Sequence, residues 1–167
     1  MRTWTKLAMI QAVHLMLLCS ASADMNSIRP LVLYNLLPGS SFHQGCVAPC
    51  MCLLTLSGRM EGTFVLAKDS MDPDVHSYTI SDIDWKVIGP VGNVMHTVTG
   101  EGAYTRQPLR SKYEKHRLTL KLSIDGADPV SLDSGEIAGC CRFPDIVMTV
   151  DSGSKCMTET MDIFAAP

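Results

Sequence analysis

His76-Ser77-Tyr78-Thr79-Ile80-Ser81-Asp82-Ile83-Asp84-Trp85-Lys86-Val87 is the stretch that decides the fold. Apolar side chains fall on Tyr78 and Ile80, then on Ile83, Trp85 and Val87, so the apolar face moves from even to odd positions near Ser81-Asp82. Alternation with a period of two marks a strand with one buried face, and a one-residue change of phase marks a β-bulge. The shift leaves Asp82 and Asp84 beside Trp85. Two carboxylates two positions apart on a strand are separated by about 6–7 Å, within reach of the acid pairs that cleave glycosidic bonds, with Trp85 as an aromatic platform. Aspartate is also an ordinary residue of turns and outer faces. The three residues are therefore binding candidates before they are catalytic ones.

Outward from this strand, the same short-strand pattern recurs. Leu31-Val32-Leu33-Tyr34 is closed by Pro38-Gly39-Ser40-Ser41, and two apolar pieces, residues 53–56 and 62–67, are split by Ser57-Gly58-Arg59. Asp69-Ser70-Met71-Asp72-Pro73-Asp74 has the clustered oxygens a calcium ion takes, yet lacks the glycine and distal glutamate of an EF-hand loop, so a turn is expected. Residues 95–104 form a strand interrupted by Gly100-Glu101-Gly102, where glycine points to a bulge or a close backbone approach. Leu118, Leu120, Leu122 and Ile124 point inward from the next strand, and Asp125-Gly126-Ala127-Asp128 turns it into Val130 and Leu132. Residues 146–150 and 157–164 make a final hairpin around Asp151. Eight to ten short strands with regular turns predict an all-β fold, a single antiparallel β-sandwich or flattened barrel with little helix.

Arg2 and Lys6 precede a largely apolar run over residues 7–18, and Ala21-Ser22-Ala23 follows, the order of a secretory signal peptide. Residues 1–23 are expected to be removed, leaving residues 24–167 as one β domain. A run of 12 residues is too short to span a membrane, and Leu18 before Cys19 does not suit a lipid-attachment site. The mature chain carries 12 Lys and Arg against 17 Asp and Glu, a net charge of −5. That balance argues against nucleic acid as a partner.

Export makes disulfides the default for the six remaining cysteines, Cys46, Cys50, Cys52, Cys140, Cys141 and Cys156. Adjacent Cys140 and Cys141 are poor partners for each other, because bonding neighbours strains the peptide between them. The expected staple joins the 46–52 cluster to the 140–156 region across a loop of about 90–110 residues, for which chain entropy gives roughly 4–5 kcal/mol. A soft metal at the cluster is the alternative: Cys46, Cys50, Met51 and Cys52 suit Cu(I) or zinc by donor type, but the spacing lacks a zinc knuckle.

One segment inverts the charge. Arg106, Arg110, Lys112, Lys115, Arg117 and Lys121 face a single acid, Glu114, between residues 106 and 121. Arg106, Arg110, Lys112 and Lys115 are candidates for holding an anionic polymer, whereas Arg117 and Lys121 belong to the outer face of a strand. Asp133-Ser134-Gly135 and Asp151-Ser152-Gly153 repeat the triplet of aspartic proteases without its flanking residues and read equally as turns. His43, His76, His96 and His116 lie in no nucleophile motif.

The succession Gly45-Cys46 to Cys52, Gly62-Thr63-Phe64, Asp82 to Trp85, Gly100-Glu101-Gly102-Ala103-Tyr104, Asp133-Ser134-Gly135 and Phe143-Pro144 resembles small, uncharacterised secreted bacterial all-β proteins. The resemblance covers most of the mature chain and implies export and an all-β fold, with no activity attached. The reading is a secreted or periplasmic, non-catalytic structural or binding domain without a cofactor or stable membrane insertion. Its expected partner is a polysaccharide or cell-envelope component. A small glycan-directed hydrolase and a soft-metal binding protein are the alternatives.

Overall fold

The computed structural model describes residues 30–46, 48, 50, 55–69, 72–108 and 113–167. The expected signal peptide, Cys52, Met51, Arg110 and Lys112 lie outside the described residues. No helix occurs among the described residues. Ten strands follow one another: β1 (Leu31–Leu36), β2 (Ser41–Cys46), β3 (Leu56–Lys68), β4 (His76–Ile88), β5 (Val94–Gln107), β6 (Lys115–Ile124), β7 (Val130–Asp133), β8 (Ile137–Ala138), β9 (Ile146–Asp151) and β10 (Met157–Ala166).

All pairings are antiparallel and belong to one sheet. β1 and β2 both run against β3, β1 along Thr63 to Ala67 and β2 along Leu56 to Arg59, so they behave as one strand bent at Leu37-Pro38-Gly39-Ser40. The bend is held by buried Ser40, whose hydroxyl donates to the Phe164 carbonyl at 3.0 Å and accepts the Phe164 N–H at 3.1 Å. β10 lies between β2 and β9, and β9 meets β7, so the sheet returns on itself. The β7–β9 link is a single residue pair, Asp133 with Asp151.

The expected bulge is present. Ile80 pairs with Gly102 and Ile83 with Gly100, so Ser81 and Asp82 stand opposite Glu101 alone. On the other side, Asp82 and Ile83 stand opposite Phe64 alone. Asp82 absorbs the extra residue at φ 52°, a left-handed conformation that aspartate tolerates better than most side chains. Tyr78, Ile80, Ile83, Trp85 and Val87 are thereby all buried.

The glycines read as breaks do not interrupt strands. β3 runs through Ser57-Gly58-Arg59, and β5 runs through Gly100-Glu101-Gly102. A side chain at Gly62 would meet the Asp84 carbonyl, and one at Gly102 the Thr119 carbonyl, so these positions serve close strand approach. The core between the inner faces contains Tyr34, Phe64 and Trp85, with Tyr34 stacked on Phe64 at 5.3 Å and Phe64 edge-on to Trp85 at 6.0 Å. Aromatic pairs in such geometry add about 0.5–1.5 kcal/mol beyond the area they bury.

The staple forms in part. Cys50 and Cys156 are joined across 106 positions with Cα atoms 5.3 Å apart, and Cys46 is also disulfide-bonded. Cys140 and Cys141 are free thiols, which corrects their assignment to the staple. They sit at the other end of the sheet, where Gly139 N–H bonds the Glu114 carbonyl and the Tyr34 hydroxyl donates to the Pro144 carbonyl.

Candidate functional site

Four adjacent strands turn an outer face that is concave rather than flat. A groove of about 580 Å³ runs over β4, β5, β6 and β7 to the turn after β9. Its walls are Thr79, Glu101, Thr119, Lys121, Ser131, Asp133, Asp151 and Ser152. Glu101 pairs directly with Lys121 across the β5–β6 ladder, and Lys121 with Ser131 across β6–β7. Alternation places these side chains outward because Tyr104, Leu120, Leu122 and Leu132 take the inner face.

Two of the groove's acids come from the repeated triplet. Asp133 and Asp151 stand opposite each other, and each accepts the N–H of the glycine two residues on, at 2.9 and 2.8 Å. Arg117 clamps Asp133 with Nε at 3.0 Å and Nη2 at 2.5 Å. That hydrogen-bonded guanidinium holds the Asp133 carboxyl below the usual carboxylate range, with the Gly135 N–H adding and partial burial opposing. A proton-sharing aspartic dyad needs one carboxyl raised instead. The triplets are turns.

The bulge residues do not line this groove. Asp82 and Asp84 are exposed, while Trp85 is 1% exposed on the opposite face of β4 and joins the core. Asp84 and an aromatic platform therefore do not share one surface, because consecutive strand residues point to opposite sides. Asp82 accepts the Ser81 hydroxyl at 3.0 Å.

The described members of the basic segment, Arg106, Lys115 and Arg117, are each engaged by neighbouring groups. Lys115 meets Glu136 at 2.8 Å and Arg117 meets Asp133. Arg106 turns inward: its guanidinium lies 4.7 Å from the centre of the Phe143 ring, with Nη2 3.0 Å from His76 Nδ1 and Nη1 3.9 Å from Glu114. Only 17% of its side chain is exposed, so it does not offer a free charge to a polymer. In the acidic segment, Asp72 accepts the Asp74 N–H at 2.8 Å, and Asp69 accepts the hydroxyl of Thr79 on β4.

Ser41, His43 and Asp162 meet on the outer face of β2 and β10. The Ser41 hydroxyl is 2.9 Å from Asp162 Oδ2 and 3.1 Å from His43 Nε2, and Asp162 approaches that same Nε2 at 3.9 Å. A relay needs the acid on one imidazole nitrogen and the hydroxyl on the other. Here both contact Nε2. At the disulfide end of the sheet, His96 Nδ1 lies 2.6 Å from Asp125 Oδ2; this hydrogen bond, with that from the Thr97 N–H, lowers the Asp125 carboxyl below its ordinary value. The pair anchors the β6–β7 turn, in which Asp125 and Gly126 both have positive φ.

Sequence reasoning missed the group around His116. The signal was its parity: it occupies the same face of β6 as Leu118, Leu120 and Leu122, and it is 1% exposed. Tyr104 stacks on it at 6.0 Å and its hydroxyl lies 2.6 Å from His116 Nδ1. The loop after β8 brings Cys140 and Cys141 to the same place, with their sulfurs 2.7 Å apart. Burial lowers the His116 pKa against the opposing charge of Glu114, with Arg106 reinforcing the fall. Burial first, then the Cys141 hydrogen bond and charge, push the Cys140 thiol up to about 12. Burial likewise raises the Tyr104 phenol well above its ordinary value, helped by the two cysteines.

No protein-family model, curated protein or solved structure matches the chain.

Proposed function

We propose that the chain is an exported, non-catalytic binding domain that takes a polysaccharide of the cell envelope or its surroundings along the groove over β4 to β7. The observation that carries this reading is the groove's wall: hydroxyls of Thr119, Ser131 and Ser152 interleaved with the carboxylates of Glu101 and Asp151 and the Lys121 ammonium. Carboxylates accept sugar hydroxyls, ammonium and hydroxyl groups donate to sugar oxygens, and an open groove admits a chain rather than an isolated small molecule. With no aromatic side chain among its lining residues, the groove would hold its ligand by hydrogen bonds. The disulfides at Cys46, Cys50 and Cys156 support export, since thiols pair and persist in oxidising compartments.

The non-catalytic part is supported by how the acids are engaged. Asp133 is held ionised by Arg117, and the Ser41, His43 and Asp162 cluster is wired to one imidazole nitrogen. The test is co-sedimentation of the full chain with insoluble chitin, cellulose and peptidoglycan. Retention on at least one is expected, with loss in the Glu101→Ala/Lys121→Ala double variant. Absence of retention on all three, or retention that the double variant leaves unchanged, overturns the groove as the binding face.

A further inference from the structure

We infer that His116 Nε2, Cys140 Sγ and Cys141 Sγ form a three-coordinate site for a soft monovalent cation, Cu(I). A ring nitrogen of His116 and the Cys140 and Cys141 sulfurs lie within 4.8 Å of one another, one on β6 and two on the loop between β8 and β9. The His116 side chain is fully buried, and its Nε2 has no hydrogen-bond partner among the described residues; the nearest carboxylate oxygen, on Glu114, is 3.7 Å away. A buried polar atom left without a partner costs free energy, and such atoms are rare in folded proteins.

The other imidazole nitrogen explains the orientation. Nδ1 is 2.6 Å from the Tyr104 hydroxyl oxygen. With Nδ1–H donating to that oxygen, the free lone pair of the ring is the one on Nε2, the nitrogen without a partner among the described residues. Metal-binding histidines are held in this way, one nitrogen on the ion and the other on an oxygen that fixes the ring.

The donor set selects the ion. Two thiolates and an imidazole are soft, which favours Cu(I) or zinc over calcium or magnesium. Structural zinc sites take four ligands, and no fourth sulfur or imidazole joins this cluster among the described residues. Three donors satisfy Cu(I). Two thiolates around one monovalent ion leave a single negative charge, and Arg106 lines the same pocket as Cys141. That pocket, about 360 Å³ and bounded also by Glu114, Arg142 and Phe143, opens beside Cys141. In the cluster near residue 50, where donor type suggested a soft metal, Cys46 and Cys50 are in disulfides and offer no thiolate.

Binding exchanges protons for metal: two Cu–S bonds and one Cu–N bond form, two thiol protons pass to solvent, and no electron is transferred. The test is a titration of the full chain under nitrogen, disulfides intact, with Cu(I) supplied as its bicinchoninate complex. One Cu(I) per chain is expected to transfer, and the Cys140→Ser/Cys141→Ser double variant is expected to take none. Tyr104→Phe keeps the ring and removes only the oxygen behind Nδ1; it should bind about 10- to 100-fold more weakly. X-ray absorption of the loaded wild-type chain should show sulfur and nitrogen around copper in a ratio of two to one, a readout that needs no variant. The site is overturned by no uptake in the wild type, by uptake unchanged in the double variant, by zinc displacing Cu(I) at equal concentration, or by a Cys140–Cys141 disulfide in the peptide map of the native protein.

Discussion

Asp133 stands opposite Asp151 in the one register pair that joins β7 to β9, and each carboxylate ties down the glycine N–H of its own turn. The closure of the sheet thus rests on two Asp-Ser-Gly turns rather than on a long ladder. Arg117, reaching across from β6, adds a charge that ties Asp133 to its neighbouring strand.

This arrangement predicts a pH dependence of stability. The folded Asp133 carboxyl lies below its unfolded value because Arg117 bonds it. A carboxyl shifted in that direction contributes stability that is fully present above its unfolded pKa, near 4 on the scale of free side chains. The contribution is lost as pH falls through the lower folded value. Urea midpoints measured from about pH 7 down to pH 3 should therefore fall on the acid side, and Asp133→Asn should give a lower plateau with a flatter acid limb. Parallel curves for the two proteins would remove Asp133 from the account. The pair is half exposed and screened by solvent, so the effect should shrink in high salt.

The bulge makes a second prediction, because Asp82 sits at φ 52° where side chains branched at Cβ are strained. Asp82→Gly should leave thermal stability near wild type, whereas Asp82→Val should cost about 1–2 kcal/mol. Equal stabilities for the two variants would mean that the strand resets its register instead of holding the extra residue. Neither variant should alter polysaccharide retention, since Asp82 lies outside the groove.

Much of the fold was legible because it follows from alternation. The phase change around Ser81-Asp82 and the inward row from Leu118 to Leu122 are written in side chains that must be buried, so pattern and structure agree. Glycine misled where it serves contact rather than a turn: Gly58 keeps β3 continuous because Val87 and the Ile88 carbonyl occupy the space a side chain would need. The groove was invisible for a different reason. Thr79, Lys121 and Asp151 are polar residues on solvent faces, and only the register of five strands makes them neighbours. His116 was hidden by its polarity: an inward row is recognised by its apolar members, and the loop that covers this one carries no period at all.

The disulfide supplies a third prediction. Cys50 and Cys156 close a loop of 106 positions, linking the segment after β2 to the start of β10. Constraint of the unfolded chain by a loop of that length is worth up to about 4–5 kcal/mol. The Cys50→Ser/Cys156→Ser double variant, which avoids leaving an unpaired thiol, should lose a large part of this in urea denaturation. A loss under about 1 kcal/mol would mean that the folded chain gains little from the constraint.

The last prediction separates the two ends of the sheet. Asp125 receives hydrogen bonds from His96 Nδ1 at 2.6 Å, from the Thr97 N–H at 2.8 Å and from the Thr97 hydroxyl at 3.3 Å. Asp125→Ala removes all three acceptor contacts from the β6–β7 turn while leaving His116, Cys140 and Cys141, at the opposite end of β6, in place. Amide exchange at Thr97 should quicken and the turn should open more often, because local opening follows the loss of local bonds. Copper uptake at His116 should not change. If Asp125→Ala reduced that uptake as well, the two ends would be one cooperative unit, and the loop carrying Cys140 and Cys141 would depend on the whole sheet rather than on its contacts with Glu114 and Tyr34.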